Sequence, residues 1–248
     1  GKGIGKAAAV RLAAAGAAVA VVDLDERAVQ ETVRDIESAG GKAAGYVTDV
    51  SREEQVADTV RRIEERFGRI DILVNCAGIQ RYGTVVDTSV ELWDEVMNVN
   101  LKGVFLMCKH VIPVMRKQQG GAIVNISSVQ AFVTQKQVAA YTASKGAINA
   151  LTRAMAVDHA AEGIRVNAIC PASVDTPMLR WAAGLFGGDV EETVKSWGKA
   201  HPIGRVARAD EIAEAVLFLA SDSSSFITGS ELKVDGGTTS MIAVALPD

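Results

Sequence analysis

Cysteine, histidine and long apolar runs are scarce in this chain, and each scarcity excludes a class of protein. The three cysteines, Cys76, Cys108 and Cys170, are scattered and odd in number, which argues against a disulfide framework. They favour a reducing compartment, so we expect a cytoplasmic protein. No C-x-x-C pair or histidine cluster indicates a bound metal. No apolar stretch reaches the roughly 18 residues of a membrane span, so no membrane partner is expected.

Strong charge of one sign is also missing. The chain has 26 Lys and Arg residues against 30 Asp and Glu residues, for a net charge of −4, and no basic block stands out. We therefore expect no nucleic-acid partner. The 248 residues, 48% of them hydrophobic, suit one domain with a large core.

Strand-like and helix-like segments alternate along the chain. Ala17 to Val22 and Ala122 to Ile126 have the short apolar pattern of buried strands, whereas Glu91 to Lys117 and Val138 to Ala161 read as helices. This alternation is typical of a doubly wound parallel sheet with helices on both faces, a three-layer α/β/α Rossmann fold. No repeat or linker divides the sequence, so we predict a single domain over residues 1–248.

Tyr141 and Lys145 bear most directly on chemistry. Four residues apart on a helix, they project from one face about one turn apart. A free phenol titrates near pH ~10, and a neighbouring ammonium favours phenolate, which brings a tyrosine towards the working range of a base. The spacing also arises by chance in many helices, and a core tyrosine with a satisfied hydroxyl is the alternative.

Further polar residues lie where predicted strands end. Ser128 follows the strand that ends at Ile126, and Asn75 follows the apolar run that ends at Val74. Asn100 lies within the helix-like stretch between them. Ser128 could be a turn residue and Asn100 a helix cap, so each has a purely structural alternative.

The first residues and Asp23 together suggest a nucleotide site. Gly3 and Gly5 precede a helix, where glycine lets the backbone approach a pyrophosphate and the helix N-terminus attracts its charge. An ordinary glycine-rich turn is the alternative. Asp23 ends a strand about twenty residues later, where a carboxylate binds the ribose 2′-OH of NAD and repels the 2′-phosphate of NADP. No Arg or Lys lies at positions 22–25, which favours NAD. As an alternative, Asp23 caps the following helix.

Taken together and in order, these segments resemble the short-chain dehydrogenase/reductase family from Gly1 to about Gly237. The resemblance implies a Rossmann-fold oxidoreductase that uses a nicotinamide cofactor on CH–OH groups and is commonly a homotetramer. The family carries a strand and a Thr-Gly pair before its second glycine, which is Gly3 here. We therefore expect a segment upstream of Gly1.

The resemblance also implies a role for each catalytic candidate. Tyr141 would be the general acid/base, and Lys145 would bind the nicotinamide ribose and stabilise the phenolate. Ser128 would hold the substrate oxygen. Asn100 would support a water that relays protons to Lys145.

A set of cofactor-binding positions follows from the same resemblance. The sequence departs from the family pattern at Cys76, which replaces an asparagine, and at Ala172, which replaces a glycine. The implied cofactor residues are Gly3, Ile4, Gly5, Asp23, Asp49, Val50, Asn75, Ala77, Gly78, Tyr141, Lys145, Pro171, Val174 and Thr176.

Residues 175–205 occupy the place of the family's variable substrate lid. Apolar side chains and glycines alternate there, which suits a closing lid, although a surface helix pair fits as well. Amides and a guanidinium near the site suit a hydroxylated substrate such as a sugar or polyol, with solvent-facing loop residues as the alternative. The stretch from Ser128 to Lys145 is similar to bacterial sugar dehydrogenases of the family. The substrate candidates are Gln80, Arg81, Gln130, Gln137, Met178 and Trp181, and Trp197 belongs to the apolar set of the lid.

We therefore predict an NAD-dependent oxidoreductase that moves a hydride between a secondary alcohol and nicotinamide, with Tyr141 as acid/base. A 3-oxoacyl thioester reductase is one alternative. Asp23 argues against it, because biosynthetic reductases usually use NADPH. A non-catalytic nucleotide-binding regulatory protein is the other alternative, and the intact set of four catalytic candidates argues against that.

Overall fold

A computed structural model of the chain describes residues 1–242, so residues 243–248 of the predicted domain lie outside the described part. Strands and helices alternate within it. The strands are β1 (Ala18–Asp23), β2 (Lys42–Val47), β3 (Ile72–Asn75), β4 (Gly121–Ile126), β5 (Ile164–Pro171) and β6 (Glu231–Val234). The α-helices are α1 (Gly3–Ala14), α2 (Glu26–Ser38), α3 (Glu53–Phe67), α4 (Val90–Met97), α5 (Gly103–Lys117), α6 (Ala139–His159), α7 (Pro177–Leu185), α8 (Val190–Gly198) and α9 (Ala209–Ala220).

All strand pairs within the described residues are parallel, as the alternation predicts. β3, β4, β5 and β6 form one sheet in that order, and β1 pairs with β2. Helices cover both faces: α1 packs on α9, and α3 packs on α5. The predicted α/β Rossmann architecture is therefore confirmed.

The central strands are apolar because both of their faces are buried. Along β4, Ile123 packs into one hydrophobic cluster and the next residue, Val124, into the other. Along β5, Val166 and Ile169 divide in the same way. Successive side chains of a strand point to opposite faces, so helices on both sides require continuous apolar runs.

Residues of β1 and of β3 line one cavity, and no strand among the described residues pairs with both.

The segment Glu91 to Lys117 is helical but not one regular helix. α4 and α5 are separated by a π-helical turn at Asn98–Lys102. Such turns are rare and occur frequently at functional sites. Among the described residues, no helix is both long enough and apolar enough to cross a membrane.

Candidate active site

The carboxyl ends of four parallel strands line one part of a cavity of about 1510 Å³, which also runs along the lengths of β1 and β3. Asp23 ends β1, Asn75 ends β3, Ser128 follows β4, and Pro171 ends β5. All four residues line the cavity. Ligands of open α/β sheets bind at this edge because the loops that leave the strands meet there.

Helix α6 presents Tyr141 and Lys145 to this cavity from its first two turns. The Lys145 Nζ lies 5.4 Å from the centroid of the Tyr141 ring. It donates a hydrogen bond to the carbonyl of Ile126 at 2.8 Å, and the lysine is only 4% exposed. The Ser127 hydroxyl donates to the Lys145 carbonyl at 3.1 Å, which ties the end of β4 to α6.

The charge states of this pair differ from the sequence-based expectation. Burial raises the pKa of Tyr141 to about 12, and a hydrogen bond with Ser128 offsets this only in part. Burial also lowers the pKa of Lys145 to about 8. The expected lowering of the phenol pKa by a neighbouring ammonium is not seen. Burial favours the neutral form of both side chains, and this is the largest effect on each pKa. At neutral pH Tyr141 is therefore a neutral acid beside a protonated lysine.

Asn100 lies inside the π turn and is fully buried. Its Oδ1 accepts from the Ile79 N–H at 2.8 Å, and its Nδ2 donates to the Ile79 carbonyl at 3.0 Å and to the Ser144 hydroxyl at 3.1 Å. The helix-cap alternative is wrong, because this side chain braces the loop after β3 against α6. Asn100 does not line the cavity itself.

Gly78 separates Asn100 from Lys145. A Cβ at this glycine would lie 3.4 Å from the Asn100 Oδ1 and 3.8 Å from the Lys145 Nζ. The two polar groups therefore flank one small space at the cavity wall.

A chain of buried amides that the sequence analysis missed supports the site. The Asn75 Nδ2 donates to the Asn125 Oδ1 at 2.8 Å, and the Asn125 Nδ2 donates to the Thr152 hydroxyl at 2.8 Å. The signal was present in the sequence, because Asn125 interrupts an apolar strand and a buried amide needs partners. This chain fixes β3, β4 and α6 relative to one another.

The fourteen predicted cofactor positions all line the cavity. Gly3 has a φ of +51°, in the left-handed region, and a Cβ there would lie 3.1 Å from the Thr176 Cγ2. Lys2, the N-cap residue of α1, makes no side-chain capping bond, so the helix N-terminus keeps backbone N–H groups for an anion. These features fit a pyrophosphate at the start of α1.

Asp23 and Asp25 have separate roles. The carboxylate of Asp25 accepts from the Ala28 N–H at 3.2 Å and is the N-cap of α2. The Asp23 Oδ1 accepts from the Asp25 N–H at 2.9 Å, and Asp23 lines the cavity. The alternative in which Asp23 caps the helix is therefore wrong.

The substrate candidates divide into two groups. Gln80, Gln130 and Met178 line the cavity, and Arg81, Gln137 and Trp181 do not. The sequence gives proximity along the chain but not side-chain direction, and the structure places these three residues outside the cavity lining.

Gln137 is exposed, has a φ of 63° and uses its carbonyl to accept from the Gly83 N–H. Arg81 turns to Glu95, with 2.6 Å between Nη2 and Oε1. Trp181 is 44% exposed and packs on Tyr82 from outside, with ring centroids 6.3 Å apart. In their place, the cavity is lined by Tyr82, Gln135 and Trp197.

The segment of the predicted lid consists of α7 and α8. Arg180 pairs with Asp175 at 2.7 Å and with Glu191, which joins the two helices to the end of β5. Phe186 packs edge-on against Tyr82 at 5.6 Å and against Trp197 at 6.1 Å. Aromatic contacts therefore connect this segment to the loop after β3.

Comparison with known proteins places these features in context. Residues 1–239 match the family model described as enoyl-(acyl carrier protein) reductase. An uncharacterized oxidoreductase of Thermotoga maritima is 44% identical over 242 residues, which covers 97% of this chain and 95% of the relative. The ligand-free aldohexose dehydrogenase of Thermoplasma acidophilum has a TM-score of 0.90 and 37% identity, covering 100% of this chain and 94% of that one. A gluconate 5-dehydrogenase from Burkholderia cenocepacia, in complex with NADP and tartrate, has a TM-score of 0.89 and 38% identity, covering 97% and 92%.

Proposed function

Because the chain belongs to the short-chain dehydrogenase/reductase family, we propose that it is an NAD-dependent dehydrogenase of a secondary alcohol on a small hydroxylated metabolite such as a sugar or polyol. Family membership makes it an oxidoreductase of CH–OH groups that binds a nicotinamide cofactor. The observation that carries the proposal is the presence of Ser128, Tyr141 and Lys145 in the same cavity as the glycine turn and Asp23.

The site residues account for the proton in this reaction. In the oxidation direction Tyr141 must first lose its own proton; the substrate O–H proton then passes to the phenolate oxygen as the C=O bond forms, and the Ser128 hydroxyl orients the reacting oxygen. An oxidised nicotinamide held by these residues would supply the hydride acceptor for the carbinol carbon and positive charge near the phenol. Lys145, still protonated at neutral pH, adds a second positive charge that favours phenolate.

The positions of Asn100 and Lys145 support a path by which that proton leaves the site. They flank Gly78, and Asn100 also fixes the backbone of Ile79 at the cavity wall. We place a relaying water between them, with Asn100 as a positioning residue that does not itself contact substrate.

Charge at the adenosine end supports NAD over NADP. Asp23 lines the cavity there, and Asp25 lies two residues away. The nearby cation Lys2 is paired with Asp25 at 2.6 Å, which offsets its charge. The carboxylate of Asp23 would repel a 2′-phosphate, whereas a ribose hydroxyl can donate to it.

A 3-oxoacyl thioester reductase is the second candidate. A 3-oxoacyl-[acyl-carrier-protein] reductase of Thermotoga maritima is 39% identical to this chain, covering 95% of it and 93% of that relative, which favours this candidate. The carboxylate of Asp23 disfavours the NADPH that such a reductase would use. A purely regulatory nucleotide-binding role leaves the assembled Ser128, Tyr141 and Lys145 unexplained.

We also propose a homotetramer in the cytoplasm, with residues 175–205 as a substrate lid. Helices α5 and α6 are the candidate contact surfaces, because they carry the apolar side chains of Phe105 and Val157, exposed by 49% and 81%. The glycines at 187 and 188 have left-handed φ angles and no neighbour within 4 Å of an added Cβ, which supports a hinge there.

The experiment is an assay of nicotinamide reduction by NAD or NADP over sugars, polyols, hydroxy acids and simple secondary alcohols. A parallel assay follows oxidation of NADPH by 3-oxoacyl thioesters. We expect oxidation with NAD in the first assay. Efficient thioester reduction with NADPH, and no alcohol oxidation, would instead establish the second candidate.

A further inference from the structure

The part of the cavity beyond Ser128 and Tyr141 carries almost no charge. We define this substrate end as the lining from the loops after β3 and β4 and from α7 and α8. Among the described residues that line it, none is Asp, Glu, Arg or Lys. His201 also lines it, but its Nε2 accepts from the Ser173 N–H at 3.2 Å and its Nδ1 lies 3.0 Å from the Trp197 carbonyl. Both ring nitrogens are thus engaged with the backbone, in a neutral tautomer.

Three arginines next to this end are paired with carboxylates, and the exposed Lys136 and Lys199 lie outside the lining. Arg81 is bound to Glu95 and Arg205 to Glu211 through pairs of hydrogen bonds. Arg180 is bound to both Asp175 and Glu191. Burying an anionic group costs much free energy unless a cation or several hydrogen-bond donors compensate it. Among the described residues that line the substrate end and the reacting centre, Lys145 is the only cation that a carboxylate or phosphate on the substrate would meet.

The polar and apolar side chains of the substrate end come from different elements. The loops after β3 and β4 contribute the amides of Gln80, Gln130 and Gln135. The Gln130 Oε1 accepts from the Thr142 hydroxyl at 3.4 Å. The side chain of Gln80 makes no hydrogen bond with another described residue, so both its oxygen and its nitrogen can serve a ligand.

Helices α7 and α8 supply the apolar side. Met178 and Leu179 come from α7, and Trp197 comes from α8. Phe186, which packs on both Tyr82 and Trp197, holds this side against the loop after β3. The substrate end therefore offers amides on one side and aliphatic and aromatic surface on the other.

On the basis of the proposed function, we propose that the substrate is an uncharged ring carrying several hydroxyl groups, such as a neutral hexopyranose or a cyclitol. Hydroxyl groups on the ring edge would bond Gln80, Gln130 and Gln135, and the C–H face would pack on Met178 and Trp197. Sugar acids and sugar phosphates should therefore be poorer substrates than their neutral counterparts.

The test compares kcat/KM, with NAD, for matched neutral and anionic rings. One pair is a hexopyranose and the uronate that differs only in its carboxylate, and the other is an inositol and its monophosphate. Cyclohexanol serves as a ring without further hydroxyls. We expect the neutral member of at least one pair to exceed its anionic partner by about ten-fold or more, the factor that about 1.4 kcal/mol produces.

Variants show whether the amides carry this preference. Gln80→Leu and Gln130→Leu should each raise KM for the neutral polyol by about five-fold or more and leave cyclohexanol unaffected, as expected for a lost hydrogen bond. Gln30→Leu, on the outer surface of α2, is the matched control and should change neither.

Two outcomes would overturn the neutral ring as the substrate, and the second of them would also overturn the proposed dehydrogenase activity. Better turnover of the anionic members, lost in Tyr141→Phe, would leave the dehydrogenase in place and remove the neutral substrate. Loss of that turnover in Lys136→Gln or Lys199→Gln, two exposed lysines outside the lining, would identify the cation responsible. No turnover of any alcohol by protein that binds NAD would overturn both proposals.

Discussion

Asp23 and Asp25 lie two residues apart, and hydrogen bonding separates their roles. The carboxylate of Asp25 is used by the first turn of α2, whereas Asp23 uses one oxygen for the Asp25 N–H and lines the cavity. Removing the charge of Asp23 without removing its acceptor oxygen therefore isolates its effect on the cofactor.

We predict that Asp23→Asn lowers the NAD over NADP ratio of kcat/KM by about ten-fold or more, because the repulsion of a 2′-phosphate is lost. Glu37→Gln, an exposed carboxylate on α2 outside the cavity lining, is the matched control and should leave the ratio unchanged. Steady-state kinetics with both nucleotides give the ratios. If the ratio stays the same in Asp23→Asn, Asp23 has no part in cofactor choice.

Lys145 should make the free energy of unfolding depend on pH even when no ligand is bound. Its pKa is lowered from 10.5 to about 8, so between these values the unfolded chain binds a proton that the folded chain has released. The free energy of unfolding therefore rises with pH across this window, by about 1–3 kcal/mol for this group. Tyr141 acts oppositely above about pH 10, because its phenol stays protonated in the folded state up to about 12.

This effect is measured by urea unfolding of the wild type and of Lys145→Met between about pH 8 and pH 10. No nucleotide is added. We predict that the substitution removes most of the rise. An equal rise in both proteins would show that Lys145 keeps its ordinary pKa.

At the scale of elements, the π turn between α4 and α5 is the feature with the clearest consequence. It directs Asn100 onto Ile79 and Ser144, next to the space that Gly78 leaves open towards Lys145. A methyl group at position 78 would make ordinary contacts there, so the fold can accept it while the space is filled.

We predict that Gly78→Ala lowers kcat by about ten-fold or more, as expected when a proton route is blocked, and changes Tm by less than about 2 °C. Gly146→Ala, next to Lys145 on α6, is the control, because a Cβ there has no neighbour within 4 Å. It should stabilise the helix by about 0.5–1 kcal/mol and leave kcat unchanged. NAD affinity, measured in parallel, separates loss of proton transfer from loss of cofactor. An unchanged kcat in Gly78→Ala would contradict the route.

The elements show where sequence patterns are sufficient. β1 and β4 match the predicted strands to within a residue at each end, because burial on both faces forces an apolar run between polar ends. The π turn was not predicted, because residues 91–117 keep helical periodicity through it. The direction of Gln137 was not predicted either, since it depends on a left-handed φ angle in a loop.

For the site too, some features were predicted from the sequence and others were not. Tyr141, Lys145, Ser128 and the glycine turn were predicted as one site, and the structure brings them to one cavity. The pKa of Tyr141 was expected to fall and instead rises, because burial is set by the surrounding elements and cannot be read from spacing along one helix.

The whole molecule explains why so few residues can define a site. Parallel strands deliver their carboxyl ends to one edge, so residues as distant in sequence as Asp23, Asn75, Ser128 and Pro171 line one cavity. Helix α6 then adds Tyr141 and Lys145 from the side. We propose that this assembly oxidises an alcohol with Tyr141 as acid/base.

The decisive measurement of the role of Tyr141 compares three proteins: the wild type, Tyr141→Phe and the matched variant Tyr46→Phe. Both turnover and NAD binding are measured for each. Tyr46 is buried on β2 with Arg62 over its ring, away from the cavity. The account predicts that Tyr141→Phe loses at least about a hundred-fold in kcat and keeps its NAD affinity, while Tyr46→Phe keeps both. A Tyr141→Phe variant with more than about a hundredth of wild-type kcat would contradict the role of Tyr141.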